Sequence, residues 1–418
     1  MPKSEKYKST MSAVRAKISD AKRRGTKQGS IGYYGCIDIC NTFVEILNEA
    51  EKFADEGEYF LAFSVVTLVV INNAKLASVG DSSSGCVSDV QWQAEKLMEN
   101  ICNSEEVKGT KESSEIFTHA LKDSQNAAFD SWEDFSYSIL LSAAKLSTKD
   151  NISKLYEALD CIAEKRKKEK YSVYKEWDCL VRIKAIEVVE GIDAAEKYAN
   201  TKLKYKSARK AAVEMAIEKE NYSHAQKLCN EIINERGRDT YWSGEWFELL
   251  LEVYDKSGND EAKINLVHEL LVDRHEVKYY DLYKELLQKY GRWEQESSAL
   301  LDELEYSVSY ESFSEILWKE NKEIRLLEHM KKYPSIALCY AEKLGTKYSD
   351  ITYPLCIAEI ENQAGQASNR IQYRKICSEI KRLSTCGANV NSLIEKLKEN
   401  YPKRSALIDE LEKLSERI

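Results

Sequence analysis

Proline is nearly absent: four in 418 residues. Pro2 stands at the start, so little interrupts helices elsewhere. Pro334, Pro354 and Pro402 each follow a tyrosine and precede an apolar-periodic stretch. That is the setting of proline in the first turn of a helix. Histidine is sparse too, limited to His119, His224, His268, His275 and His329. His268-Glu269 and His275-Glu276 do not form an H-E-x-x-H pair, which excludes a zincin site. No G-x-x-x-x-G-K, G-x-G-x-x-G or G-x-S-x-G occurs, so the usual phosphate-cradling and nucleophile-elbow motifs are missing. The longest apolar stretch, Phe60 to Ile71, is broken only by Ser64 and Thr67. It is too short to span a bilayer. The N-terminus has no apolar h-region.

Cysteine is not scarce, but its arrangement is uninformative. The eleven cysteines include no CxxC or CxC pair. Cys36 and Cys40 share a helical face, with no histidine or further cysteine close in sequence to complete a metal site. Scattered thiols in an acidic helical chain read as reduced core residues in a reducing compartment. We therefore expect a cytoplasmic protein without disulfide, metal or cofactor.

What is present is helix-forming and charged. Hydrophobic residues make up 43% and charged residues 31%, which suits much surface helix. At this length the chain needs several cores or one extended array. The net charge is −9. Residues 1–28 hold nine Lys or Arg and two acids, so +7, leaving −16 for the rest. A basic arm on an acidic body points to an anionic partner, unless the arm only aids solubility. Tyr7, Met11, Val14 and Ile18, spaced 4, 3 and 4 apart, offer another reading: an amphipathic helix capping the first repeat.

Gly57 to Ser78 is the segment around which the chain is organised. Its β-branched run would allow a strand, but about 20 residues without internal Gly or Pro read as a helix. It is apolar nearly all round, so it should be buried. We divide the chain into residues 1–30, a basic arm or capping helix; 31–105, N-terminal helical repeats; and 106–418, a helical repeat array. Gly25, Gly29 and Gly32 read as a loose hinge. Gly80-Asp-Ser-Ser-Ser-Gly85 lacks the carboxylates of a calcium loop and reads as a connector. The polar stretch 103–115 marks the internal boundary.

The repeat is clearest in the centre. Ser223-x-x-Gln226 reads as a capping box. Ala225, Leu228, Cys229, Ile232 and Ile233 follow at helical offsets, and Trp246, Leu249, Leu250, Val253 and Tyr254 repeat them. Gly57-Glu-Tyr59-Phe-Leu-Ala62 returns as Tyr222-x-x-Ala225 with Glu220 in the glycine place, and as Gly291-Arg-Trp293. Gly191 and Gly258 give looser copies. Ala225 to Ala262 is 37 residues, one helix pair, and a period in the thirties marks an α-solenoid.

On these residues the chain resembles the tetratricopeptide superfamily in degenerate form. It also resembles the helical region of prokaryotic SWIM zinc-finger proteins over about residues 33–415. The features are the D-S-S-S-G loop, Glu245-Trp246-x-x-Leu249-Leu250, Gly291-Arg-Trp293 and Tyr401-Pro402-x-Arg404. The resemblance implies a right-handed solenoid of antiparallel helix pairs, TPR-like and all-α. The SWIM zinc module, CxC…CxH, is absent, so its zinc-dependent nucleic-acid binding is not carried over.

Arg325-Leu-Leu-Glu-His329 resembles the Arg-His motif of HEPN ribonucleases, one residue too short; a solvated arginine and a rim histidine are the plainer reading. Carboxylate runs such as Asp302-Glu303-x-Glu305 read as solvated helix faces. Two basic clusters stand out: Lys165 to Lys170, and Lys202 to Lys210 with Tyr205 inside. Basic residues interleaved with aromatics suit a nucleic-acid backbone, although cations also favour helix C-termini. The candidate partner-contacting residues are Arg23, Arg24, Lys204, Tyr205, Lys206 and Arg209. The expected function is a non-enzymatic scaffold that binds a protein or peptide, with a nucleic-acid-associated accessory role as the alternative.

Overall fold

The computed structural model describes residues 3–166, 174–235 and 240–418. The chain is all-α. Among the described residues there is no strand, only isolated bridges pairing Lys27 with Ser30 and Ile31 with Gly80. Two compact units divide at Gly258/Asn259.

The first unit is built around α3 (Tyr59–Ala77). It is flanked by α1 (Lys3–Gly25), α2 (Tyr33–Asp55), α4 (Cys86–Asn103), α5 (Lys111–Asp123) and α6 (Glu133–Ala144). Neighbours all round explain a sequence without a polar face. Val65, Val66, Val69 and Val70 are fully buried. By length and apolar composition alone α3 could cross a membrane, yet it is mostly buried among the other helices.

Its polar atoms are met from far along the chain. Glu112 Oε1 accepts from the Phe60 amide at 2.9 Å, an acid at the amide-rich helix end. The Thr67 hydroxyl donates to Asp123 Oδ2 at 2.8 Å, and His119 Nε2 lies 3.0 Å from the same oxygen. Burial alone would raise the Asp123 carboxyl, but the His119 and Thr67 hydrogen bonds hold it below its usual value. The stretch 103–115 thus lies within the first unit. It carries the fully buried Val107 and the Glu112 cap.

The basic N-terminal segment is α1. Met11, Val14, Ile18 and Ala21 are buried, and Tyr7 stacks on Phe60 at 5.5 Å. Gly25 is no loose hinge. A Cβ there would lie 2.7 Å from the Gly35 carbonyl oxygen, and one on Gly35 would lie 2.1 Å from the Gly25 carbonyl oxygen. The two backbones cross where neither has a side chain. The unit continues through α7 (Ile152–Arg166), α8 (Tyr174–Glu190), α9 (Ile192–Asn200), α10 (Lys206–Glu218), α11 (Tyr222–Glu235) and α12 (Thr240–Ser257).

The second unit comprises α13 (Asp260–His268), α14 (Tyr280–Lys289), α15 (Trp293–Ser307), α16 (Tyr310–Lys319), α17 (Glu323–Lys332), α18 (Ala337–Gln366), α19 (Arg370–Thr385), α20 (Asn391–Asn400) and α21 (Ser405–Ser415). α18 is kinked at Tyr348 (φ −132°, ψ 40°). Pro334 begins the short 3₁₀ turn before α18, but Pro354 lies inside that helix and Pro402 in the turn before α21. First-turn placement therefore holds only for Pro334.

One turn recurs in both units. The amides of Glu58, Asn221, Arg292 and Lys322 bond to the carbonyls of Phe53, Ala216, Leu287 and Leu317, five residues back, at 2.8–2.9 Å. The residue before each donor is left-handed: Gly57 (φ 78°), Glu220 (φ 57°), Gly291 (φ 67°) and Asn321 (φ 53°). This is the Schellman ending. It explains the Gly-x-aromatic spacing, and the next helix begins at Tyr59, Tyr222, Trp293 or Glu323. The α11 cap is not Ser223. Asn221 Oδ1 accepts from the Ser223 hydroxyl at 3.2 Å and the His224 amide at 3.4 Å.

Three outcomes follow. Left-handed geometry costs a side-chain-bearing residue about 1–2 kcal/mol. Glu220→Gly should therefore stabilise the chain by a few tenths to about 1 kcal/mol, and Gly57→Val should destabilise it by about 1–2 kcal/mol; urea denaturation followed by circular dichroism measures both. A chain beginning at Ser30 loses Met11, Val14 and Ile18, each worth on the order of 1.5–3 kcal/mol when buried. It should melt several degrees lower or aggregate. Unchanged melting would return α1 to the role of an arm.

Candidate binding cleft

The basic residues among the six candidate contacts have intramolecular partners. α10 starts beneath a carboxylate from α8: Glu176 accepts from the Lys206 and Ser207 amides at 3.1 and 2.9 Å. Lys206 and Lys210 both pair with Glu245, at 2.6 and 2.8 Å. Lys204 lies over the Tyr205 ring at 4.9 Å. Arg209 is not a surface group. It is 6% exposed and reaches the Leu203 and Leu228 carbonyl oxygens and Glu231, each at 3.3 Å. A buried guanidinium must satisfy its donors internally, so Arg209 braces α10 against α11.

Arg23 and Arg24 stand apart from that cluster in sequence, on the last turn of α1. They pair with Asp20 at 3.0 Å and Asp38 at 3.7 Å. Residues 167–170 of the Lys165–Lys170 cluster lie outside the described residues.

A depression of about 710 Å³ opens in the second unit. It is walled by the end of α15, by α16 and α17, and by α18 at its kink. The Asn321 turn sets α17 against α16, and the Tyr348 kink brings that hydroxyl to Glu323 Oε2 at 3.0 Å. Lys347 pairs with the same carboxylate. Hydrogen bonding from Lys347 and Tyr348 holds Glu323 below the usual carboxylate range.

On the opposite side, Arg325 pairs with Asp302 at 2.7 Å and Glu305 at 2.9 Å, and lies over the Phe313 ring at 5.3 Å. Glu305 is likewise held low, first by its hydrogen bond from Arg325. Lys332 lies 3.6 Å from Glu305 and over the exposed Tyr306 ring at 5.5 Å. Ile324, 61% exposed, stands among these charges.

His329 is buried rather than a rim residue. Its Nε2–H donates to the Tyr310 carbonyl oxygen at 3.1 Å, since a carbonyl can only accept. Nδ1 is buried without a partner. Phe313 packs edge-on at 5.0 Å, and Tyr333 lies at 4.8 Å. Burial lowers its pKa, which favours the neutral ring. Arg325 and His329 share the cleft wall, but the arginine is taken up by Asp302 and Glu305.

A smaller depression of about 570 Å³ lies in the first unit and includes Lys108, Lys145 and Lys184. Each lysine has an acid: Glu105, Glu99 and Glu187 respectively.

Sequence reading missed two features. The Asn321 turn carries no glycine; asparagine's tolerance of left-handed geometry was the available signal. Cys86 was the other. Its sulfur comes within 4.8 Å of both Cys36 and Cys40, so a further cysteine does sit beside that pair. Nothing in the spacing announced it, because Cys86 arrives by way of the α3–α4 connection.

The His329 environment sets a pH dependence. The folded state's His pKa lies below the unfolded value of about 6.5. On acidification the unfolded chain protonates first, so this contribution is full above pH ~6.5 and is lost as pH falls towards the folded value. His329→Gln should flatten the decline in melting temperature between pH 7.5 and 5.5; an unchanged slope would show that His329 is not its source.

Compared with known proteins, the chain matches no family model and no curated sequence.

Proposed function

We propose that this chain is a non-enzymatic helical-repeat scaffold of tetratricopeptide-like type, and that its second unit holds an extended peptide from a partner protein. The observation that carries this reading is the α15–α18 cleft. Its exposed apolar residue, Ile324, is surrounded by charges that neutralise one another. Such a surface combines apolar contact with a polar rim. It offers no uncompensated cationic track to draw a nucleic-acid backbone. The residues resembling a ribonuclease pair are occupied by Asp302, Glu305 and the Tyr310 carbonyl.

Local packing supports the repeat reading. Outside the α3 core, where α3 also reaches α6, helices mostly contact chain neighbours and next-but-one neighbours, as in α8 with α10, α10 with α12, and α19 with α21. Neighbour-only contact is the habit of solenoids. Eleven free thiols suit a reducing, cytoplasmic setting.

The test is selection of peptides from a displayed random library on the full chain, followed by titration of the selected peptides. We expect micromolar binding that falls at least tenfold in Ile324→Asp, stays intact in Tyr34→Ala, and varies little between 50 and 300 mM salt. Tight binding of a single-stranded oligonucleotide with a steep salt slope, and no selected peptide, would replace this reading with the nucleic-acid one.

A further inference from the structure

Three thiols converge where α2, α4 and the connection before α4 meet. Cys36 and Cys40 lie one turn apart on the buried face of α2. Cys86 is the first residue of α4, and its sulfur is 3.8 Å from that of Cys36. All three sulfurs lie within 4.8 Å of one another. No other His, Cys, Asp or Glu trio of this kind occurs among the described residues.

The backbone is shaped to bring them there. The Asp81 amide bonds to the Ile31 carbonyl at 3.0 Å, tying the connection to the segment leading into α2. Gly80 lies flat against the site: a Cβ on it would come within 3.3 Å of the Cys36 sulfur. Gly85, at φ 83°, then turns the chain into α4.

We propose that Cys36, Cys40 and Cys86 bind one Zn²⁺ as a three-thiolate site with its fourth position open to water. A tetrahedral ion with bonds of about 2.3 Å holds its sulfurs about 3.8 Å apart. The Cys36–Cys86 separation already has that value, and Cys40 closes the gap with a shift of about 1 Å or less. A disulfide would need the two sulfurs at about 2.05 Å and would have no use for a third. Cys36 and Cys40 are buried, while Cys86 is partly exposed and leaves a way in.

Charge favours a divalent ion. Three thiolates around Zn²⁺ leave −1, whereas a monovalent soft ion such as Cu⁺ would leave −2. The positive end of α4 lies beside Cys86 to meet the remainder. Binding expels the thiol protons, and the ion would fasten the start of α4 to α2.

The experiment uses the full chain, reduced and freed of metal with a chelator, in a Cys161→Ser/Cys339→Ser background that removes the two exposed thiols. Titration with Co²⁺ should give thiolate-to-cobalt absorption that saturates at one equivalent and is abolished by one equivalent of Zn²⁺. Zn²⁺ should raise the melting temperature by several degrees. Cys86→Ser, checked for folding by circular dichroism, should weaken Co²⁺ binding at least tenfold; Cys40→Ala should do the same if Cys86→Ser proves unstable. Absence of saturable Co²⁺ binding would overturn the proposal. So would affinity unchanged in Cys86→Ser, or a signal fitting two thiolates only.

Discussion

The first unit depends on the complete burial of one helix. α3 offers apolar side chains in every direction, so it is stable only when neighbours cover every side. α1, α2, α4, α5 and α6 supply that cover. The same condition explains the polar outliers in its sequence. Thr67 and Asn73 are fully buried, where an unmet donor is costly, although Asn73 Oδ1 stays without a partner. Each reaches a partner on another segment, Asp123 and the Val87 carbonyl oxygen.

Much of this was legible because it depends on local pattern. An all-round apolar segment without Gly or Pro announces a buried helix. The Gly-x-aromatic spacing announces a helix ending followed by a helix start, and Glu220 was recognisable as its counterpart before its left-handed backbone was seen. Met11, Val14 and Ile18 carried the spacing of a docked face.

The rest was hidden for one recurrent reason: the deciding contact lies far along the chain. Cys86 meets Cys36 across 50 residues. Glu176 caps α10 from 30 residues away. Arg209 looks like part of a basic patch until α11 covers it. Pro354 was misplaced for a different reason, because the kink at Tyr348 joins two helical stretches that the sequence suggests would be separate. The candidate cleft was the least visible. Its residues come from four helices, and its near-neutrality arises from pairings such as Arg325 with Glu305 that no linear charge count shows.

The ties on α3 also bear on the order of events during synthesis. Its Phe60 amide awaits Glu112, Thr67 awaits Asp123, and Ser78 awaits the Trp132 indole, each more than 50 residues downstream. A chain emerging from the ribosome therefore holds an apolar rod with an incomplete cover until α5 and the start of α6 have appeared. Exposed surface of that kind is what draws nascent segments into premature association. α1, already emerged and lying along α2 and α3, is placed to shield it during that interval.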